Sequence, residues 1–144
     1  MDVEYGVMEF DIHGTFSKND DNIFNIYFSD RRDKVDVSMA SENGEFVVHA
    51  LGDEKILSFI TIQKKIIGNN VGEGILGYVY FEDTDSLMVF LDEEPVKLLD
   101  LKDLGKIKSD DDFGSNFMFL SDTQGKLKTI VIENASKIVC CKYK

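Results

Sequence analysis

The sequence predicts a mainly β protein, either an antiparallel β-barrel or a two-layer β-sandwich of about 9–10 strands. Three observations predict this class. Apolar and polar residues alternate with a period of two in several segments, turn residues recur every 8–12 residues or so, and helical periodicity is confined to one short stretch. Because 144 residues is the length of an ordinary domain, residues 1–144 are predicted to form a single domain.

The first two predicted strands carry the clearest alternation. In residues 7–16 the large apolar side chains, including Ile12 and Phe16, share one parity, and polar side chains such as His13 share the other. In residues 22–28 three apolar side chains again share one parity. Strands with this pattern bury one face against the core and leave the other in water.

The Asn-Gly dipeptide at 43–44 predicts a hairpin, because both central positions of a type I′ turn take a positive φ. A turn centred there pairs Val37 with Ala50 and Met39 with Val48, so apolar residues face apolar residues along the ladder. A register shifted by one residue would turn charged side chains into the core.

Six further strands are predicted at residues 55–67, 76–81, 86–91, 116–120, 126–133 and 137–143. Several of these runs are apolar at every position, and such strands need cover on both faces from a second layer, a helix or a partner subunit. The pattern is therefore consistent with a homodimer. One short helix is predicted near 95–104, because Pro95 suits the first turn, Gly105 suits the position after the last turn, and leucines recur between them.

Composition and charge exclude several classes. An apolar content of 43% is too high for intrinsic disorder, and no apolar run is long enough to span a membrane. With 27 acidic and 16 basic side chains, the net charge of −11 opposes direct binding to nucleic acid. Cys140 and Cys141 are adjacent, which does not suit a disulfide, and the acidic start differs from a signal peptide. A cytoplasmic location is predicted.

The acidic residues concentrate in loops between the predicted strands. If these loops gather on one face of the β framework, their combined field would attract a basic partner. The residues predicted to bind the partner are the acids of three loops, with one aromatic residue as an apolar anchor: Glu82, Asp83, Asp85, Asp92, Glu93, Glu94, Asp110, Asp111, Asp112 and Phe113.

Motifs that resemble catalytic or nucleotide-binding sites are incomplete. Residues 72–79 match the glycine-rich loop of protein kinases, and residues 112–114 read Asp-Phe-Gly, but the kinase catalytic loop and strand lysine are missing. The glycine-rich segment is therefore predicted to be a hairpin connection. His13 and His49 lack the spacing of a zinc site. No catalytic residue, metal or cofactor is predicted.

These observations favour a non-catalytic acidic binding module. Small acidic inhibitors block nucleases by presenting carboxylates where the enzyme binds phosphates. Immunity proteins paired with bacterial toxins are similar to this chain in size, acidity and lack of catalytic motifs. The composition predicts an inhibitor or immunity-type protein that neutralises a basic, nuclease-like protein partner. The alternative is an intracellular β-barrel that carries a small apolar ligand, and a third class is a hydrolase with two converging carboxylates.

Overall fold

Two antiparallel sheets make up the protein in a computed structural model that describes residues 12–18, 22–28, 35–52, 56–68, 71–91, 101–107 and 112–139. The strands are β1 (His13–Phe16), β2 (Ile23–Tyr27), β3 (Val37–Ala40), β4 (Phe46–Leu51), β5 (Ile56–Gln63), β6 (Gly74–Ile75), β7 (Gly77–Phe81), β8 (Ser86–Phe90), β9 (Lys102–Asp103), β10 (Phe117–Ser121) and β11 (Leu127–Glu133). Short 3-10 turns cover Lys64–Ile66 and Asp112–Asn116, and α1 spans Ala135–Ile138.

The first sheet has six strands in the order β3-β4-β5-β2-β1-β6, and the second has five in the order β7-β8-β11-β10-β9. Within the described ranges neither sheet closes on itself, so the architecture is the predicted two-layer sandwich rather than a barrel. The mainly β fold class is confirmed, with eleven strands in the part of the chain that the structure describes.

The core lies between the inward faces of the two sheets. Phe24, Phe46 and Ile60 from the six-stranded sheet and Phe119 and Ile130 from the five-stranded sheet are fully buried. Phe46 stacks on Phe119 across the interface between the sheets. These buried apolar side chains of the two inward faces belong to one hydrophobic core.

The predicted hairpin register is confirmed, because Val37 pairs with Ala50 and Met39 with Val48. The predicted turn type is wrong. Gly44 has a φ of 75°, whereas Asn43 does not take a positive φ, so the turn cannot be type I′. Asn43 instead accepts hydrogen bonds through its side-chain oxygen from Ser41 and from the backbone N–H of Glu45. The Asn43 side chain thus closes an Asx-type turn, and this turn does not need a positive φ at Asn43.

Most predicted strands are present, with two corrections. Lys102 and Asp103, at the end of the predicted 95–104 helix, form β9 and pair with β10. The one α-helix of the described residues lies at Ala135–Ile138, inside a region where a turn and a strand at 137–143 were expected. Asn134 has a left-handed conformation (φ 56°) and starts this helical turn. Residues 1–11, 92–100 and 140–144, including both cysteines, lie outside the described residues.

No helix in the described part of the chain is both long and apolar enough to cross a membrane.

Candidate functional site

One end of the five-stranded sheet collects three acidic segments. The 82–85 turn joins β7 to β8 at this end, where Ser86 pairs with Glu133 at the end of β11. The Asp112–Asn116 turn enters β10 at the same end, since Phe117 pairs with Ile132. We call the carboxylates of this end the acidic end, and its members are Glu82, Asp83, Asp112 and Glu133, all exposed.

A hydrogen bond ties two of these segments together. The Asn134 side-chain amide donates to the Asn116 side-chain oxygen at 2.8 Å. The Asp112–Asn116 turn is further closed by the Ser115 hydroxyl, which donates to the Asp112 backbone carbonyl at 2.6 Å. The loops of the acidic end are therefore fastened to the sheet, which reduces the conformational entropy that they would lose on binding a partner.

Asp85 lies in this region but holds the fold together rather than facing outward. Its carboxylate accepts hydrogen bonds from the Tyr80 hydroxyl, the Ser136 hydroxyl and the Ser136 backbone N–H. Its own carbonyl accepts the N–H of Ala135 at 2.9 Å. Both carboxylate oxygens are engaged, so Asp85 is a structural link between the 82–85 turn and α1.

The pKa of Asp85 reflects these contacts. Partial burial on its own would raise the pKa, but hydrogen bonds from Ser136 and Tyr80 and the positive charge of Lys137 favour the carboxylate more strongly, so the pKa lies below its ordinary value. The pKa of Glu73 is also lowered, by hydrogen bonds from the Thr15 hydroxyl and the Phe16 backbone. Neither carboxyl group has the raised pKa that a general acid needs.

Phe113, the expected apolar anchor, belongs to the core. It is 9% exposed and its ring centroid lies 5.3 Å from that of Phe117. A partner could reach this ring only by displacing the turn around it. In the structure Phe113 therefore packs in the core and does not offer its ring to a partner as the predicted anchor.

The other predicted binding residues, Asp92, Glu93, Glu94, Asp110 and Asp111, lie outside the described residues. Leu91, which precedes the first three, donates its N–H to the carbonyl of Lys128. That contact is at the end of the sheet opposite to the acidic end. The structure thus groups Glu82, Asp83 and Asp112, and adds Glu133, which the sequence interpretation had missed because it follows a strand instead of lying in an acidic run.

The outward face of the five-stranded sheet carries an apolar row next to the acidic end. Val79 pairs with Met88, Met88 with Val131, and Val131 with Met118, so four apolar side chains cross four neighbouring strands. We call these four residues the apolar stripe. Phe81 lies two residues beyond Val79 on the same face of β7, nearer the acidic end, in the row that contains Ser86 and Glu133.

Three large apolar side chains of this face are open to solvent. Phe81 is 45% exposed, Val79 42% and Met118 38%. A sheet with one buried face ordinarily places polar residues on the other face. Contiguous apolar residues in that position are typical of an interaction surface.

The outward face of the six-stranded sheet carries a polar network beside apolar side chains, which include Ile75, 73% exposed, and the ring of Phe59. The Thr61 hydroxyl donates to the Asn25 side-chain oxygen at 2.9 Å and therefore accepts from the His49 Nε2–H, also at 2.9 Å. This leaves His49 Nδ1 to accept from the Ser38 hydroxyl at 2.8 Å. The His49 ring stacks on Phe59 with centroids 4.1 Å apart, and burial lowers the pKa of His49.

The arrangement offers no metal centre among the described residues, since no three His, Cys, Asp or Glu side chains are grouped as ligands there. The glycine-rich segment forms β6 and the start of β7, and Glu73 within it accepts the Phe16 backbone N–H at 2.8 Å. The predicted hairpin connection is wrong, because β6 pairs with β1 in the six-stranded sheet and β7 pairs with β8 in the five-stranded sheet. The segment instead carries the chain from one sheet to the other.

Comparison of the chain with protein-family models, with curated proteins and with solved structures found no match. The site is therefore interpreted from its own chemistry, as an exposed acidic and apolar surface on a β-sandwich.

Proposed function

We propose that this protein is a non-catalytic binding module that inhibits a basic, nuclease-like protein by covering its cationic surface. The observation that carries the proposal is the gathering of Glu82, Asp83, Asp112 and Glu133 at one end of the five-stranded sheet. Carboxylates held on fastened turns imitate the phosphates that a nuclease binds, without supplying a bond to cleave.

The charge of the whole chain supports the same proposal. A net charge of −11 produces a long-range field that accelerates encounter with a basic partner, and this acceleration falls as salt rises. The inhibitor's specificity then depends on short-range contacts, because long-range charge selects partners only by sign.

The experiment begins with affinity capture of partners from the cells that produce this protein. The captured protein is identified and purified, and its association rate with the chain is measured by stopped flow at low and at high salt. Neutralising the acidic end with Glu82→Gln, Asp83→Asn and Glu133→Gln should slow association about tenfold or more at low salt and flatten its salt dependence. Catalytic activity of a nuclease partner should be blocked by the wild type.

The matched control is Glu42→Gln, because Glu42 is exposed in the β3–β4 turn of the other sheet. This variant should change the association rate less than about twofold. An association rate that is insensitive to salt, or equal losses from the control and the acidic-end variants, would contradict the proposal.

A further inference from the structure

We infer that the apolar stripe, with Phe81, is the surface on which the partner's central contact docks, and that this partner surface has an apolar centre bordered by lysine or arginine. This inference rests on the proposed function and specifies the partner's chemistry. It is carried by the position of the stripe (Val79, Met88, Val131 and Met118) beside the acidic end on one sheet face.

Among the described residues, the outward face of the other sheet has no row of four consecutive apolar side chains. On the outward face of the six-stranded sheet, Ser38, His49, Thr61 and Asn25 form a chain of hydrogen bonds. That face also carries the exposed Ile75, so the two outward faces differ in how their apolar residues are arranged, and only the stripe joins four of them across neighbouring strands. Burial in the core does not require an apolar outward face, and a contiguous exposed apolar patch is typical of a surface that a partner covers.

The side chains of the stripe suit a binding centre. Methionine and phenylalanine are enriched in the buried cores of protein interfaces, and a few such residues carry most of the binding energy. Met118 on β10 and Phe81 on β7 are both exposed, on the two sides of β8 and β11, so both are accessible to a partner. Met88 and Val131 lie between them and are half-buried by their neighbours.

Charge decides which occupant the face accepts. Phe81 is in the row of Glu133 and adjoins Glu82, so a molecule covering the face also approaches these carboxylates. A second copy would bring another chain of net charge −11 and a second set of carboxylates to the same contact. Like charges across an interface oppose association, whereas lysine and arginine around an apolar centre complement this face.

The test uses a photoreactive residue in the full chain, made in the cells that produce this protein. Benzoylphenylalanine is placed at Met118, and in a matched control at Ala40, which is exposed on the outward face of the other sheet. Cross-linked partners are identified by mass spectrometry and purified, and binding is measured by calorimetry. The expected adduct forms from Met118 and not from Ala40, and contains a protein of basic isoelectric point.

Substitutions then separate the apolar contact from the charge contact. Met118→Ser and Phe81→Ser should each weaken binding about tenfold or more at low and high salt alike. Neutralising Glu82 and Glu133 should weaken it mainly at low salt. Unchanged urea midpoints of the serine variants would show that the fold is retained, and Val79→Ser serves as a replacement for any variant that unfolds.

Several outcomes would overturn the inference. They are an adduct between two copies of this chain, an adduct with an acidic protein, no adduct from Met118, or equal adducts from both positions. If a basic partner binds with strong salt dependence but tolerates Met118→Ser and Phe81→Ser, only the docking surface is wrong. If no basic partner binds in a salt-sensitive manner, the proposed function itself fails.

Discussion

Phe46 and Phe119 stack face to face between the two sheets, with ring centroids 4.1 Å apart and ring planes inclined by 19°. Phe46 comes from β4 and Phe119 from β10, and both side chains are fully buried. The contact therefore packs the six-stranded sheet directly against the five-stranded sheet. Both rings belong to the one hydrophobic core that the inward faces of the two sheets share.

Replacing Phe46 by alanine should destabilise the protein by about 3–5 kcal/mol, because the lost ring leaves a cavity against Phe119. The measurement is the free energy of unfolding in urea. Phe59→Ala is the matched control, since the Phe59 ring lies half-exposed on the outward face of the same sheet. Equal losses from the two variants would contradict the assignment of the core.

Gly14 is required by a close approach and not by its backbone conformation. A methyl group added there would overlap the Phe24 ring, which lies on the neighbouring strand β2. Gly14→Ala should destabilise by about 1–3 kcal/mol through overpacking. Gly72→Ala is the control, because a methyl group at Gly72 meets nothing within 4 Å.

The clash between position 14 and Phe24 predicts strong coupling. In the double variant Gly14→Ala/Phe24→Leu, the smaller leucine removes the aromatic ring that the added methyl group meets. The double variant should lose less stability than the sum of the two single variants, by about 0.5–3 kcal/mol in a double-mutant cycle. Strict additivity would show that the two residues do not meet.

Asp85→Asn should destabilise by about 1 kcal/mol at neutral pH, because the amide cannot accept all three hydrogen bonds from Tyr80 and Ser136. Asparagine tolerates the positive φ of 52° at this position, so backbone strain does not contribute. Asp83→Asn in the same turn is the control and should change stability by less than about 0.5 kcal/mol.

The effect of Asp85 should depend on pH. Because the pKa of Asp85 is lowered in the folded state, its contribution to stability is fully present above the unfolded pKa of about 3.9 and is lost as pH falls through the folded pKa. The difference in unfolding free energy between wild type and Asp85→Asn should therefore shrink in acid. A difference that grows in acid would contradict this assignment.

His49 should make the protein less stable in mild acid. Burial lowers the pKa of His49, so the folded state favours the neutral ring that accepts from Ser38. Stability should be complete above the unfolded pKa of about 6.5 and should fall as pH drops below it. His49→Phe keeps a ring on Phe59 and should have a flatter stability profile between about pH 7 and pH 5. Identical profiles would contradict the prediction.

The sequence by itself determined the elements that depend on residues close to one another along the chain. Period-two alternation placed Phe24 and Ile26 inward, and the Asn-Gly dipeptide at 43–44 set the register of Val37 against Ala50. Both depend on the alternation of side chains along a strand and on the geometry of a short connection, which a few neighbouring residues specify.

The short elements β9 and α1 could not be predicted from the local sequence pattern. Lys102 and Asp103 form a strand only because β10 offers backbone partners at Leu120 and Ser121. Ala135–Ile138 turns into a helix where Asp85 binds the N–H of Ser136. In each case the competing structure was equally acceptable locally, and a contact with a distant segment decided between them.

The candidate site shows the same division. Its acidic residues and doubly apolar strands were visible in the sequence, but the assembly of Val79, Met88, Val131 and Met118 into one row depends on which strands are neighbours. Only the tertiary structure shows that Phe113 is buried in the core and that Asp85 holds α1 through hydrogen bonds. Charge and polarity are properties of single residues, whereas a surface is defined by residues that only the packing of distant strands brings together.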